Sequence, residues 1–272
     1  RWCLPDCLPT RLPSSFSPLL VFISSVVGAY VSSMSDAILE KVGKLVLLSA
    51  LASKIVFSLF TIEALSTLPV TETFHHTVKY TDTGFVLAGI ILEKEFGKPI
   101  ADLFDERIAR PLNLTATYGP LPSEACVPTA FEERRGRLLQ GEVHDPKASI
   151  LQRRCGSAGL FATLDDCITL VQLYLHDGIL RDFEYCSAEM IQSLLKDWTP
   201  TRQAGRSLGW DMDRVDEQIW LRHTGFTGTT VLMNLRTKQA MILLTNRIHQ
   251  FEDTPSYNRL REELIQIYER EA

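Results

Sequence analysis

The sequence predicts an α+β fold: an antiparallel β-sheet flanked by N- and C-terminal helices, with an all-helical lobe beside it. Three observations predict it. The middle of the chain carries apolar residues at helical spacing between helix start and stop residues. Three strand-like runs follow one another late, separated only by turn residues. A final amphipathic stretch closes the chain. The 272 residues are 45% hydrophobic and 22% charged, enough for one sizeable core. No internal repeat or low-complexity linker divides them. The chain therefore reads as one domain, 1–272. Within it, 1–40 is atypical, about 75–200 forms the helical lobe, and about 205–272 forms the sheet and C-terminal helix.

In "DTGFVLAGIILEKEFG", Asp82 is the expected N-cap and Gly97 the end. Phe85, Gly89, Leu92 and Phe96 share one face. "PIADLFDERIARPL" follows, with Ile100, Leu103, Phe104 and Ile108 as its stripe and Pro111 as its stop. Thr163 and Asp166 form a capping box for "LDDCITLVQLYLHDG", which Gly178 closes. "QIWLRHT" and "TTVLMNL" are strands flanking Gly225 and Gly228, and "QAMILLTNR" is a nearly buried third strand after Thr237-Lys238. The last helix runs roughly from Pro255 to Glu271, with Tyr257, Leu260, Leu264 and Ile267 inward.

A net charge of -5 without a basic cluster argues against a nucleic-acid partner. Cys3, Cys7, Cys126, Cys155, Cys167 and Cys186 are scattered, and no pair or His completes a zinc pattern. Mostly buried or free thiols are expected, which suits a reducing compartment. The apolar run Pro18–Val31 is short for a membrane span and is interrupted by Ser and Gly. It reads either as a signal or anchor segment, with Val27-Gly28-Ala29 as a cleavage site, or as a buried strand or helix. Cytoplasm and cell envelope both stay open, as does the oligomeric state.

Four short stretches carry the chemistry. They are "YTD" (Tyr80–Asp82), "GEVHDPKA" (Gly141–Ala148), "GSAGLFATLDD" (Gly156–Asp166) and "HTGFTGT" (His223–Thr229), the last followed by "LLTNR" (Leu243–Arg247). In this order they resemble the serine β-lactamase-related family of class C β-lactamases, penicillin-binding DD-peptidases and related esterases, over about Leu59 to Ala272. The resemblance implies an acyl-transfer cleft built from three elements. A Ser-x-x-Lys supplies nucleophile and base. A Tyr on the helical lobe assists proton transfer. A Lys/His-Thr-Gly strand binds the substrate's carboxylate or carbonyl, and the residue after its Gly donates an oxyanion N–H.

Carried over residue by residue, Tyr80 takes the tyrosine role and Asp82 the Asn/Asp role. His223, Thr224 and Gly225 form the strand triplet, and Phe226 N–H is the oxyanion donor. His144 and Asp145 match the branch loop as cleft or loop-stabilising residues. No metal or organic cofactor is implied, and the partner is a small-molecule or peptide substrate. Each residue also has a plain structural reading: Tyr80 as a rim aromatic, Asp82 as a helix cap, His223 as a surface His beside a turn.

The pattern breaks at the nucleophile. Gly43-Lys44-Leu45 resembles the turn after the nucleophile helix, and reading backwards from it Ser25-Val26-Val27-Gly28 fits best. That makes Ser25 the nucleophile and puts Gly28 where the Lys belongs. "SLLK" (Ser193–Lys196) satisfies Ser-x-x-Lys but falls in the wrong helix, and Ser53-Lys54 has the wrong spacing. "FTIEALSTLP" (Phe60–Pro69) looks like a degraded family segment. Three explanations differ in class: a serine hydrolase using another base, a catalytically silent relative binding a peptide or acyl ligand in the same cleft, or an N-terminal sequence truncated or altered from an active enzyme.

Overall fold

The computed structural model describes residue 78 and residues 80–133, 136–151, 155–199, 205–249 and 254–272. The expectations for Ser25, Pro18–Val31, Gly43-Lys44-Leu45, Ser53-Lys54, Phe60–Pro69 and the N-terminal helices lie outside these residues.

Helix α1 (Asp82–Phe96) starts at Thr81, whose hydroxyl accepts from the Thr83 N–H at 3.2 Å. Thr81, not the expected Asp82, is therefore the cap. Asp82 is the first helical residue, where its charge suits the helix dipole and its carboxylate is left for other partners. Gly97 closes the helix in left-handed backbone, as expected. Gly89 lies against Gly156 of the "GSAGLF" turn. A Cβ on Gly156 would meet Phe85 O at 2.3 Å and Gly89 Cα at 3.1 Å, so only glycine lets the two backbones touch there.

Helix α2 (Ile100–Phe104) runs through a π-helical turn (Asp105–Ala109) into the short α3 (Arg110–Leu112). All four residues of the expected stripe are buried. Pro111 does not stop the helix. It sits in the first turn of α3, where its missing N–H costs nothing, and Asn113 in left-handed backbone ends the run.

The large elements of the lobe are helical, but three antiparallel ribbons are set among them that the sequence did not reveal. These are β1 (Thr117–Tyr118) with β4 (Leu160–Phe161), β2 (Phe131–Glu132) with β3 (Arg137–Leu138), and β5 (Ile179–Leu180) with β6 (Phe183–Glu184). Two-residue strands are too short to show an alternating pattern. Between them, α4 (Pro146–Leu151) packs on α1 through Val86, Ala148, Leu151 and Cys155. Helix α5 (Leu164–Leu175) has the expected capping box, and the Asp166 carboxylate also takes the Thr115 N–H and hydroxyl. Helix α6 (Ala188–Gln192) completes the lobe.

The main sheet has four antiparallel strands in the order β10-β9-β8-β7. Strand β8 (Gln218–Thr224) matches its expected span, and β9 (Thr230–Asn234) and β10 (Gln239–Leu243) fall within theirs. β10 is half-buried along its length rather than nearly buried, because it is an edge among the described strands. β7 (Asp211–Val215) was not anticipated. One face of the sheet packs on α5 and α6 through Leu221, Met233, Leu235, Trp210 and Met212. The other carries Trp220 and Leu232 against α7 (Thr254–Glu271).

Helix α7 is rotated from the expected face. Ile265 is fully buried, whereas Leu260, Leu264 and Ile267 are 58%, 42% and 54% exposed. Tyr257 does face inward, donating its hydroxyl to Gly228 O at 2.7 Å. Charged and aromatic anchors decide the rotation. Tyr268 packs on Trp220 and donates to Ala240 O, Glu262 bonds Arg222, and Glu269 lies beside Asp213. A purely apolar pattern cannot show such an interface.

Among the described residues, Cys126, Cys155, Cys167 and Cys186 are free. No helix there is long and apolar enough to cross a membrane, and no group of His, Cys, Asp and Glu is arranged to hold a metal.

Candidate active site

Tyr80 sits where the chain enters α1, 69% exposed. Asp82 accepts a hydrogen bond from its phenol. The surrounding protein and then the Asp82 charge push the phenol above its ordinary value of 10.0, while Arg206 pulls the other way. The phenol is therefore neutral at neutral pH. The Asp82 carboxylate also pairs with Lys147, Nζ to Oδ2 at 2.9 Å, and the same ammonium lies 3.3 Å from Asp145 Oδ2. Asp145 Oδ1 meanwhile caps α4 by accepting the Ala148 N–H at 2.8 Å, with Pro146 opening that helix.

The neighbouring His144 stacks on Phe226, with ring centroids 5.7 Å apart and planes 14° apart. The Arg247 guanidinium also lies over the Phe226 ring, 4.5 Å from the centroid, and Arg247 Nε donates to Phe226 O. Phe226 belongs to the β8–β9 loop. There Gly225 N–H bonds Thr229 O at 2.7 Å, and Gly228 has a φ of 123°. A Cβ on Gly228 would strike Thr245 O and Arg247 N, so the glycine lets the "LLTNR" stretch close over the loop. Thr245 and Tyr257 both donate to Gly228 O, and Arg247 N–H bonds Thr227 O. Asn246 ties the same stretch to the carbonyls of Pro128 and Thr129.

His223 lies on β8, exposed to solvent yet surrounded by neighbouring side chains. Trp210 meets its ring edge-on at 6.3 Å. That enclosure holds the imidazole below its ordinary 6.5, with Asp211 raising it and Arg206 lowering it further. It is therefore largely neutral at neutral pH. Arg206 and Asp211 form an ion pair at 2.5 Å. The same two residues act on Tyr80, and Arg206 lies 5.9 Å from the Tyr80 ring centroid. Side-chain interactions thus link Tyr80 to Asp82, Asp82 to Lys147, Lys147 to Asp145, and His144 to Phe226, while the Arg206–Asp211 pair acts electrostatically on both Tyr80 and His223.

A family model described as Beta-lactamase matches residues 48–265. The chain belongs to the beta-lactamase family. Among beta-lactamase-family relatives, an N-acetylmuramyl-L-alanine amidase of Bacillus subtilis is 30% identical over 217 residues, covering 70% of this chain and 48% of that protein. The chain thus spans about half the length of this curated relative. The fold of a penicillin-binding protein from Bacillus halodurans superposes with a TM-score of 0.56 at 15% identity, covering 90% of this chain and 71% of that one. A D-amino acid amidase from Ochrobactrum anthropi, complexed with L-phenylalanine amide, gives 0.54 at 17%, covering 93% and 71%. These two likenesses concern the beta-lactamase-family fold alone.

The structure places Tyr80 and Asp82 at the start of α1, His144 just before α4, His223 and Thr224 on β8, and Gly225 and Phe226 in the loop after it; it brings Tyr80 to Asp82 and His144 to Phe226. Ser25 lies outside both the described residues and the matched span. The decoy Ser193 donates its hydroxyl to Met190 O, and Lys196 covers the Trp198 ring at 4.0 Å, so that pair is engaged within its own turn. Arg206, Trp210, Asp211 and Lys147 escaped the sequence reading. The alternation Trp210-Asp211-Met212-Asp213 just before a turn was the available signal for β7. The Lys147–Asp82 pair had no local signal, because its members are 65 positions apart in sequence.

Proposed function

We propose that this cleft performs serine-hydrolase acyl transfer on an ester, amide or D-Ala-type peptide, through an acyl-enzyme on Ser25. One observation carries the reading: the tyrosine stretch is tied to the His144 loop through Lys147, that loop stacks on Phe226 after the His223 strand, and the Arg206–Asp211 pair acts on both Tyr80 and His223. Such an array suits acyl transfer, in which a hydroxyl must lose a proton as an oxyanion forms. A neutral Tyr80 acts as a relay. The nucleophile's proton reaches Tyr80 Oη as the phenolic proton passes to the Asp82 carboxylate. The reverse transfer delivers a proton to the departing alcohol or amine. In this reading the Phe226 N–H donates to the developing oxyanion. A neutral His223 offers the substrate a hydrogen bond rather than a positive charge, which suits an uncharged ester or amide carbonyl.

The test is acylation. The chain is treated with a fluorophosphonate and with a labelled β-lactam, and its intact mass is measured. One adduct is expected, lost in Ser25→Ala and slowed on the order of a hundredfold in Tyr80→Phe. No adduct with either reagent refutes the acyl-transfer reading. An adduct that persists in Ser25→Ala moves the nucleophile elsewhere.

A further inference from the structure

We propose that Lys147 is a positioning residue of this cleft: its ammonium, clamped between Asp82 and Asp145, sets the Asp82 carboxylate against the Tyr80 phenol. The inference rests on the acyl-transfer reading and adds to it a cation drawn from the His144 loop. Packing places it. Ala148 and Leu151 of α4 are buried against Val86 and Cys155, which fixes the start of α4 beside the start of α1. Asp145 is held in turn by capping α4 through Oδ1, so its Oδ2 has a defined position. Lys147 therefore spans two carboxylates, one of them anchored by capping α4 and the other at the accepting end of the Tyr80 relay.

The other described lysines are elsewhere. Lys98 pairs with Glu106, Lys238 pairs with Asp177, Lys196 covers Trp198, and Lys94 lies in the last turn of α1. Among the described residues, Lys147 is thus the lysine paired with Asp82, the carboxylate that bonds the Tyr80 phenol. Without it, two carboxylates within about 6 Å of each other would face across the vacated space, and their repulsion would turn Asp82 away from Tyr80. Burial lowers the Lys147 ammonium's proton affinity, but the hydrogen bond to Asp82 and the two negative charges outweigh it, so the clamp stays charged through neutral pH.

The experiment compares the parent with Lys147→Met, Lys147→Arg and Lys147→Met/Asp145→Asn, each shown to be folded by circular dichroism. The first readout is ester turnover across pH. Lys147→Met should lose kcat by roughly tenfold to a hundredfold with little change in KM, as expected for a misplaced catalytic group. Its pH profile should also shift, while Lys147→Arg and the double variant regain part of the rate. The second readout needs no turnover. The ultraviolet titration of Tyr80, isolated by difference against Tyr80→Phe in each background, should move to lower pH in Lys147→Met, because the Asp82 carboxylate that raises it has turned away. If Lys147→Met keeps both the parent's profile and its Tyr80 titration, the proposal is overturned. If the parent fails to acylate while the Tyr80 titration still shifts, the acyl-transfer reading falls and the Lys147–Asp82–Tyr80 clamp stands.

Discussion

Replacing Glu269 with Gln tests the electrostatics that dock α7 on the sheet. Glu269 is buried beside Asp213, within a cluster completed by Arg222 and Glu262. Burial first, and then the Asp213 charge, raise its carboxyl from 4.5 to about 7, while Arg222 opposes the rise. A raised carboxyl costs the fold stability as the proton leaves. The stabilising contribution of the protonated form is complete below pH 4.5. It is lost as pH climbs to about 7, because the unfolded chain gives up that proton earlier. The interval between the two values corresponds to a ceiling of about 3 kcal/mol above pH 7. Glutamine keeps the shape, cannot ionise, and can donate its amide to Asp213. Glu269→Gln should therefore gain up to about 3 kcal/mol over the parent at pH 8 and little or nothing at pH 4.5. Urea unfolding of both proteins at several pH values between these limits measures the difference directly. An offset that is constant with pH, or one that shrinks as pH rises, would refute the argument.

Two further substitutions probe the framework and the decoy. Gly156→Ala drives a methyl to within 2.3 Å of Phe85 O, so it should cost about 1–3 kcal/mol in chemical unfolding and slow acylation by shifting the start of α1. Ser193→Ala removes only the bond to Met190 O, so stability should fall by about 1 kcal/mol and the fluorophosphonate adduct should form at the parental rate.

Some elements were legible because their causes are local. The Thr163–Asp166 capping box, the buried stripe from Ile100 to Ile108 and strand β8 each follow from a few neighbouring residues. So does the glycine loop after His223, where a positive φ at Gly228 demands that residue type. Where a neighbour in sequence offered two equivalent solutions, the reading slipped by one position, as with Thr81 in place of Asp82 at the cap of α1. Helix α7 was misread for a different reason. Its inward face mixes Ile265 and Tyr268 with Arg222–Glu262 and Asp213–Glu269 pairings across the interface. Hydrophobic periodicity assumes that charges point to solvent, and here they do not.

The sequence by itself determined the α+β class, the order of the motifs and the residue types available to the proposed cleft. The tertiary structure decided which of those residues meet. It brought the Arg206–Asp211 pair between Tyr80 and His223, and it drew Lys147 across to Asp82 through the packing of α4 on α1. The physical reason is one of range. Caps, turns and stripes are fixed by contacts within a few residues, whereas the charge around a cleft is the sum of groups that only a packed core can bring together.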